Sequence, residues 1–280
     1  MPELPEVETV VRGLRPNLIQ RRIGGMWFDW ARIIHSPSPE IFKAQINGQQ
    51  IKAVRRRAKY ILIELESDLL VVHLKMTGRL YVVPPESNQD ADRWVHVKFM
   101  LDDGCELRFS DSRKFGRVYL VRDLAEITGA LGPEPLEDDF TLEVFQQQLG
   151  GRSRAMKALL LDQTRIAGVG NIYADEALHR ARIHPLRPAN SLNPDEWERL
   201  YHAVRAALFD GVAYQGASIQ WYRKADGSKG SSQDHFYVYG RTGQACSTCG
   251  NPIEKIRVAQ RGTHFCPNCQ PLEKGAIAHV

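Results

Sequence analysis

Val7, Val10, Val11 and Leu14 recur at the i, i+3, i+4, i+7 spacing, which predicts an amphipathic helix that starts near Pro5. Proline is tolerated in a first turn, where its missing amide would have no acceptor, and Glu6 and Glu8 complement the positive end of the helix dipole. From about residue 22 to 122 the period changes. Short runs of aliphatic and aromatic residues, Tyr60–Leu65, 69–74, Val95–Leu101 and Arg117–Val121, are separated by turn signals and read as a β-sandwich or barrel. Leu131-Gly132-Pro133-Glu134-Pro135-Leu136 interrupts strand and helix alike, so it predicts a domain junction. Beyond it, residues 139–149, 154–162, 171–181 and 194–210 read as helices, with Asn193-Pro194-Asp195-Glu196 as a start signal for the last.

Between the second and third of these helices lies Ala167-Gly168-Val169-Gly170-Asn171, whose glycines permit a tight turn aiming backbone amides and Asn171 at a phosphate. The pattern is a helix-turn-helix candidate. Residues 224–234 are polar and glycine-rich and predict a mobile loop. The 280 residues are 43% apolar and 25% charged, an ordinary globular composition large enough for two modest domains. No apolar run approaches the roughly 18 residues of a membrane helix, and the N-terminus is acidic where a signal peptide is basic, so neither membrane insertion nor export is expected. Residues 151–280 hold 17 Lys and Arg against 11 Asp and Glu, whereas residues 1–150 hold 20 against 22. A basic C-terminal half fits a polyanionic partner, although many proteins of this charge bind none.

The cysteines are more specific. Cys246-Ser-Thr-Cys249 and Cys266-Pro-Asn-Cys269, separated by sixteen residues, have the two-knuckle spacing of a four-cysteine zinc site, with a β-hairpin between the knuckles. Four protein ligands leave no position for water, so a metal there is structural. A redox or disulfide framework is the other reading of such a pattern, but disulfides belong with exported proteins. Cys105 reads as a small buried or half-buried residue.

Pro2-Glu3-Leu4-Pro5-Glu6-Val7-Glu8-Thr9, Arg57-Ala58-Lys59-Tyr60, Gly168-Val169-Gly170-Asn171-Ile172-Tyr173-Ala174 and the terminal four-cysteine motif together resemble the bacterial formamidopyrimidine-DNA glycosylases over nearly the whole chain. The resemblance implies an α+β multidomain protein: an N-terminal β-sandwich with flanking helices, a C-terminal helix-two-turn-helix module and a four-cysteine zinc-finger β-hairpin. It implies segments 1–132 (catalytic), 133–216 (helical, DNA-binding), 217–239 (mobile lesion-capping loop and linker) and 240–280 (zinc finger and tail). It further implies one structural Zn2+, damaged double-stranded DNA as partner, a monomer without inferable protein partner, and a place in the bacterial cytosol at the nucleoid. The tail, 270–280, is longer than the family leads one to expect.

The implied reaction is excision of oxidised purines followed by strand cleavage. Once Met1 is removed, as a small second residue normally allows, Pro2 carries a secondary amine. An α-amino group has a pKa near roughly 7.7 to 8.0, so a usable neutral fraction exists where a lysine would need a large shift. Attack on C1′ would release the base and leave an iminium adduct that permits β- and δ-elimination. Glu3 resembles the family's acid-base residue and Lys59 its lesion-site lysine, whereas by themselves Pro2 and Glu3 read as a helix entry and Lys59 as part of a solvated strand edge. An enzyme acting on a stacked base must flip it and fill the gap, and Met76, Arg113 and Phe115 match the filling trio. Without the resemblance Met76 and Phe115 would read as core. Asn171 and Arg261 resemble phosphate contacts, Arg261 also a proton donor in δ-elimination, and His96 a DNA-contacting histidine. Arg241, before the finger, is left open between a site residue and a brace. Two other readings remain: an endonuclease VIII-like enzyme for oxidised pyrimidines, and a non-catalytic zinc-ribbon nucleic-acid-binding protein.

Overall fold

A computed structural model describes residues 1–84, 87, 93–219 and 222–272. Gln220 and Trp221 of the expected capping loop and residues 273–280 of the expected tail lie outside the described residues. The chain forms two compact units, one of residues 1–130 and 214–231, the other of residues 131–213 and 232–280. The segment 217–239 is thus divided between them, with the break after Ser231.

In the first unit, α1 (Leu4–Leu18) is followed by β1 (Ile23–Phe28), β2 (Ile34–Ser36), α2 (Pro39–Ile46), β3 (Ile51–Arg57), β4 (Tyr60–Leu65) and β5 (Leu69–His73). Then come β6 (Gly78–Val83), β7 (Val95–Leu101), β8 (Glu106–Asp111), β9 (Arg117–Val121) and the one-turn α3 (Ala125–Thr128). The strands form a four-stranded sheet, β1-β7-β8-β6, and a five-stranded sheet, β2-β9-β5-β4-β3. All neighbours are antiparallel except β2 and β9. One continuous core takes Met26, Leu80, Val97, Phe99 and Phe109 from the first sheet and Val54, Ile61, Ile63, Leu70, Val72 and Val118 from the second. That core is the filling of a β-sandwich. The predicted helical stripe Val7, Val10, Val11 and Leu14 is buried in it, each side chain contributing about 1.5–3 kcal/mol.

The unbroken apolar run of β5 has a simple cause. Leu70 and Val72 face the sandwich core, while Val71 joins Leu62, Tyr119 and Val121 on the opposite face under Leu124 and Ile127. Both faces are covered, so alternation disappears. Within the stretch that reads as all strand, α2 is an unanticipated helix. Ser38 caps it through the Ile41 amide, Pro39 occupies its first turn, and Phe42 and Ile46 are buried one turn apart. Of the returning segment, Tyr222 is buried in the same core, and Ala225 packs closely against Gly13 of α1.

The second unit contains α4 (Leu142–Leu149), α5 (Met156–Leu160), α6 (Asn171–Ala181), α7 (Pro194–Ala213), and the hairpin of β10 (Glu254–Val258) and β11 (Arg261–Phe265). The start signal of α7 is a capping box: the Glu196 amide donates to Asn193 Oδ1 and the Asn193 amide to Glu196 Oε2, both at 2.9 Å. The helix expected from 139 begins instead at Leu142, because the Thr141 hydroxyl accepts from the Val144 amide and caps it there. The helix expected over 154–162 is shortened to a little over one turn. Helix α6 is buried on nearly all sides and packs so closely on α7 that a Cβ at Gly211 would meet the Tyr173 ring. No helix among the described residues is long and apolar enough to cross a membrane.

Candidate active site and metal centre

Helix α1 carries Pro2 and Glu3 at its entry, with Glu3 in extended backbone at the N-cap and only 3% exposed. The Glu3 amide donates to Glu6 Oε2 at 2.8 Å, and the other Glu6 oxygen accepts from the Ala217 amide, also at 2.8 Å. Glu8 holds this end of the helix on the sheet, accepting from Arg56 Nε of β3 at 3.2 Å. Burial by itself would raise the Glu8 pKa, but the hydrogen bond from Arg12 and the charge of Arg56 more than offset it, so the carboxyl lies below the usual range. Three residues past Arg56, the two-residue turn between β3 and β4 places Lys59, 5% exposed, after Ala58 at φ 51°. A nearly buried lysine and a nearly buried glutamate are uncommon unless each has a task or a partner.

His73 pairs with Tyr60 across β4 and β5. Burial, then the charges of Lys75 and Lys59, push its pKa down to about 3. Its neutral Nδ1 accepts the Lys75 amide at 3.0 Å. The following turn exposes Met76, and the turn after β8 exposes Arg113 and Phe115, with the guanidinium 4.7 Å above the Phe115 ring. Met76 and Phe115 are 38% and 46% exposed, so neither is a core residue. His96 on β7 is buried, its Nδ1 2.8 Å from Asp29 Oδ1 and its Nε2 without a hydrogen-bond partner among the described residues.

In the second unit, Asn171 is the first residue of α6 and donates through Nδ2 to the Gly262 carbonyl at 2.9 Å. Arg261 is exposed beside that carbonyl, at the start of β11. It follows a two-residue hairpin turn, Ala259-Gln260, with both residues at positive φ as a primed turn requires. Asn171 and Arg261, ninety residues apart in sequence, are brought to one place. Sequence reasoning missed the groups that hold them. Lys157, wholly buried on α5, lies 2.6 Å from Asp175 Oδ1 and donates to Thr263 Oγ1 at 2.7 Å and to the Gly262 carbonyl at 3.3 Å. Asp175 Oδ2 accepts the His264 amide at 2.9 Å. Glu176 likewise accepts three successive amides, those of Tyr237, Val238 and Tyr239. Burial pushes its pKa up against the effect of those hydrogen bonds. The available signal was a pair of adjacent acids, Asp175-Glu176, set between Tyr173-Ala174 and Ala177-Leu178. Arg241 acts as a brace, donating to the carbonyls of Phe236, Tyr237 and Ala245.

The four cysteines converge as their spacing predicts. All four Sγ atoms lie within 4.8 Å of one another, with Cys246 to Cys269 at 3.9 Å and Cys249 to Cys266 at 3.4 Å. Tetrahedral zinc with Zn–S bonds of about 2.3 Å needs S···S separations near 3.8 Å, so the residues fit one structural zinc ion. The Thr248 and Cys269 amides point at Cys246 and Cys266 sulfur, as thiolate ligands require. Cys105, half-buried in the first unit, is not one of the four clustered thiols.

Residues 1–118 match the formamidopyrimidine-DNA glycosylase N-terminal domain, residues 131–223 the formamidopyrimidine-DNA glycosylase H2TH domain, and residues 243–272 a zinc finger found in FPG and IleRS. A formamidopyrimidine-DNA glycosylase of Herpetosiphon aurantiacus is 51% identical over 274 residues, covering 96% of this chain and all of the relative. One of Symbiobacterium thermophilum is 47% identical, covering 98% of this chain and 91% of the relative. Among solved structures, MutM (Fpg) of Thermus thermophilus superposes with a TM-score of 0.87 at 42% identity, over 97% of this chain and 100% of that one. A Lactococcus lactis Fpg variant in complex with Fapy-dG-containing DNA superposes at 0.90 and 34% identity, with the same coverage. MutM bound to DNA containing carbocyclic 8-oxo-G superposes at 0.88 and 35% identity, again over 97% and 100%. With an N-terminal sandwich, a helical module and a four-thiol finger matched in order along the chain, the protein belongs to the formamidopyrimidine-DNA glycosylase family.

Proposed function

We propose that the protein is a bifunctional DNA glycosylase and abasic-site lyase that removes oxidised purines, 8-oxoguanine and formamidopyrimidines, from duplex DNA. The substrate class follows from solved relatives that hold Fapy-dG or 8-oxo-G DNA. The observation that carries the mechanism is the placement of two nearly buried ionisable side chains, Glu3 and Lys59, at a helix entry and a hairpin turn that Glu8 and Arg56 tie together. In this reading Met1 is removed and the Pro2 nitrogen attacks C1′. An N–C1′ bond forms, the glycosidic bond breaks and the base leaves with a proton. The C1′–O4′ bond then breaks as Glu3 protonates O4′, and the resulting ring-opened iminium acidifies the C2′ proton. Its removal expels the 3′ phosphate, and a second elimination expels the 5′ phosphate. Glu3 moves protons at the sugar, Lys59 serves the lesion, and Arg261 supplies a proton in the second elimination.

Met76 and Phe115 fill the gap left by the extruded base, Arg113 hydrogen-bonds the widowed partner, and Asn171, Arg261 and His96 grip the DNA. The zinc ion, which Cys246, Cys249, Cys266 and Cys269 hold, supplies no chemistry to this reaction. It fixes the hairpin that presents Arg261. In functional terms the segments are 1–132 for catalysis, 133–216 for DNA binding, 217–239 for lesion capping and 240–280 for the finger. Genomic DNA as substrate places the enzyme in the bacterial cytosol at the nucleoid.

The test is borohydride trapping of the processed protein on duplexes carrying 8-oxoguanine opposite cytosine, an oxidised pyrimidine, or no lesion, with mass mapping of the adduct. Preferential trapping on 8-oxoguanine through residue 2, lost in Pro2→Gly with binding retained, is the expected result. Preference for the pyrimidine would move the protein to the endonuclease VIII-like branch. No adduct despite confirmed loss of Met1 would remove the iminium route.

A further inference from the structure

The two turns that carry Met76, Arg113 and Phe115 are built alike. Each contains a lysine at positive φ, Lys75 at 52° and Lys114 at 58°, and each ends in a glycine. Both glycines press on one ring. A Cβ at Gly78 would lie 2.9 Å from Phe109 Cε2, and one at Gly116 would lie 2.7 Å from Phe109 Cε1. Gly78 also sits opposite Asp111 in the β6–β8 ladder.

Beneath both turns is the Asp111 carboxylate, with no solvent exposure. Its Oδ1 accepts the Thr77 hydroxyl of the first turn and the Arg113 amide of the second at 3.2 Å. Its Oδ2 accepts the Phe115 amide at 2.8 Å and the Gly116 amide at 2.7 Å. A carboxylate has room for four donors, and here all four are provided by the two wedge-bearing turns.

We infer that Asp111 is a positioning residue that clasps these turns into one rigid wedge, so that Met76, Arg113 and Phe115 enter the base stack together. The inference rests on the reading of that trio as the group that fills the gap. Three exposed side chains on separate mobile turns would each have to be ordered during base extrusion, whereas a clasp places that ordering in the fold beforehand. Thr77 is the link between the turns, and the amides of Arg113, Phe115 and Gly116 set the second turn.

The discriminating quantity is the ratio of single-turnover 8-oxoguanine excision to lyase activity on a duplex with a preformed abasic site, which has no base to extrude. Thr77→Val removes the link between the turns and leaves Asp111 in place. Asp111→Asn replaces one acceptor oxygen by a donor facing other donors. Each variant should lower the ratio by roughly tenfold or more. Each should also slow the fluorescence rise of 2-aminopurine placed beside the lesion, with the thermal midpoint showing that the fold is retained. If Asp111→Asn does not fold, Thr77→Val alone carries the test. Met76→Ala and Phe115→Ala are run alongside. If they lower the ratio and the clasp variants do not, or if the clasp variants lower excision and lyase equally, the role of Asp111 is overturned while the wedge stands. If Met76→Ala and Phe115→Ala leave the ratio unchanged, the wedge reading itself fails, and the clasp with it.

Discussion

Glu6 Oε1 accepts the Ala217 amide at 2.8 Å, joining residues 211 apart in sequence, while its other oxygen holds the amide of Glu3. The carboxylate is 2% exposed and connects the entry of α1 to the segment proposed to cap the lesion. Gly216 sits at φ 77°, and a Cβ there would lie 3.0 Å from Glu6 Cγ, so the close approach depends on glycine. Replacing Glu6 by Gln leaves one acceptor for two amides. Lesion excision should fall by roughly tenfold, and hydrogen exchange at the Ala217 amide should quicken. Unchanged exchange would show that the link does not order the segment.

His73 gives a pH dependence with a definite sign. Its folded pKa, about 3, lies below the roughly 6.5 of an unfolded chain, so as pH falls the unfolded state takes up the proton first. The stability it contributes is complete above about pH 6.5 and is lost progressively toward pH 3. Between pH 7 and pH 5 the loss from this residue is about 2 kcal/mol. His73→Asn keeps an acceptor for the Lys75 amide and cannot titrate. Urea denaturation of that variant should lose about 2 kcal/mol less over the same interval than the parent.

Lys157 and Asp175 form a wholly buried pair, and removing one partner leaves a buried charge. Lys157→Met should cost about 3–5 kcal/mol in urea denaturation. The Gly262 carbonyl receives both Lys157 and Asn171, so the same variant should weaken DNA binding in a titration at fixed salt. A loss of stability with wild-type affinity would show that the pair does not set the position of Asn171 and Arg261.

Zinc removal should melt the finger selectively. Strands β10 and β11 are five residues each, too short a pair to persist alone; β10 contributes Val258 to a small cluster with Ala155 and Ala158, and the cluster at the thiols holds only Val238, Ile253 and two of the cysteines. Chelation should abolish DNA binding and the amide dispersion of 243–272 while the sandwich resonances persist, and added zinc should restore both.

Several features were legible from residue order because their causes are local. The stripe Val7, Val10, Val11 and Leu14 gave α1, the Asn193–Glu196 reciprocal cap gave the start of α7, and two Cys-x-x-Cys knuckles gave the thiol cluster. Helix α2 escaped because a short helix with two buried residues has almost no period to read. Chain order alone would read Met76 and Phe115 as core, since periodicity reports that a face is apolar and not whether anything covers it. Only the tertiary structure exposes both. It alone decides that Asp111 meets Thr77, that Glu6 meets Ala217 and that Lys157 meets Thr263. Each pairing depends on which strands and helices become neighbours, and that is set by the burial of the whole core rather than by the residues that finally touch.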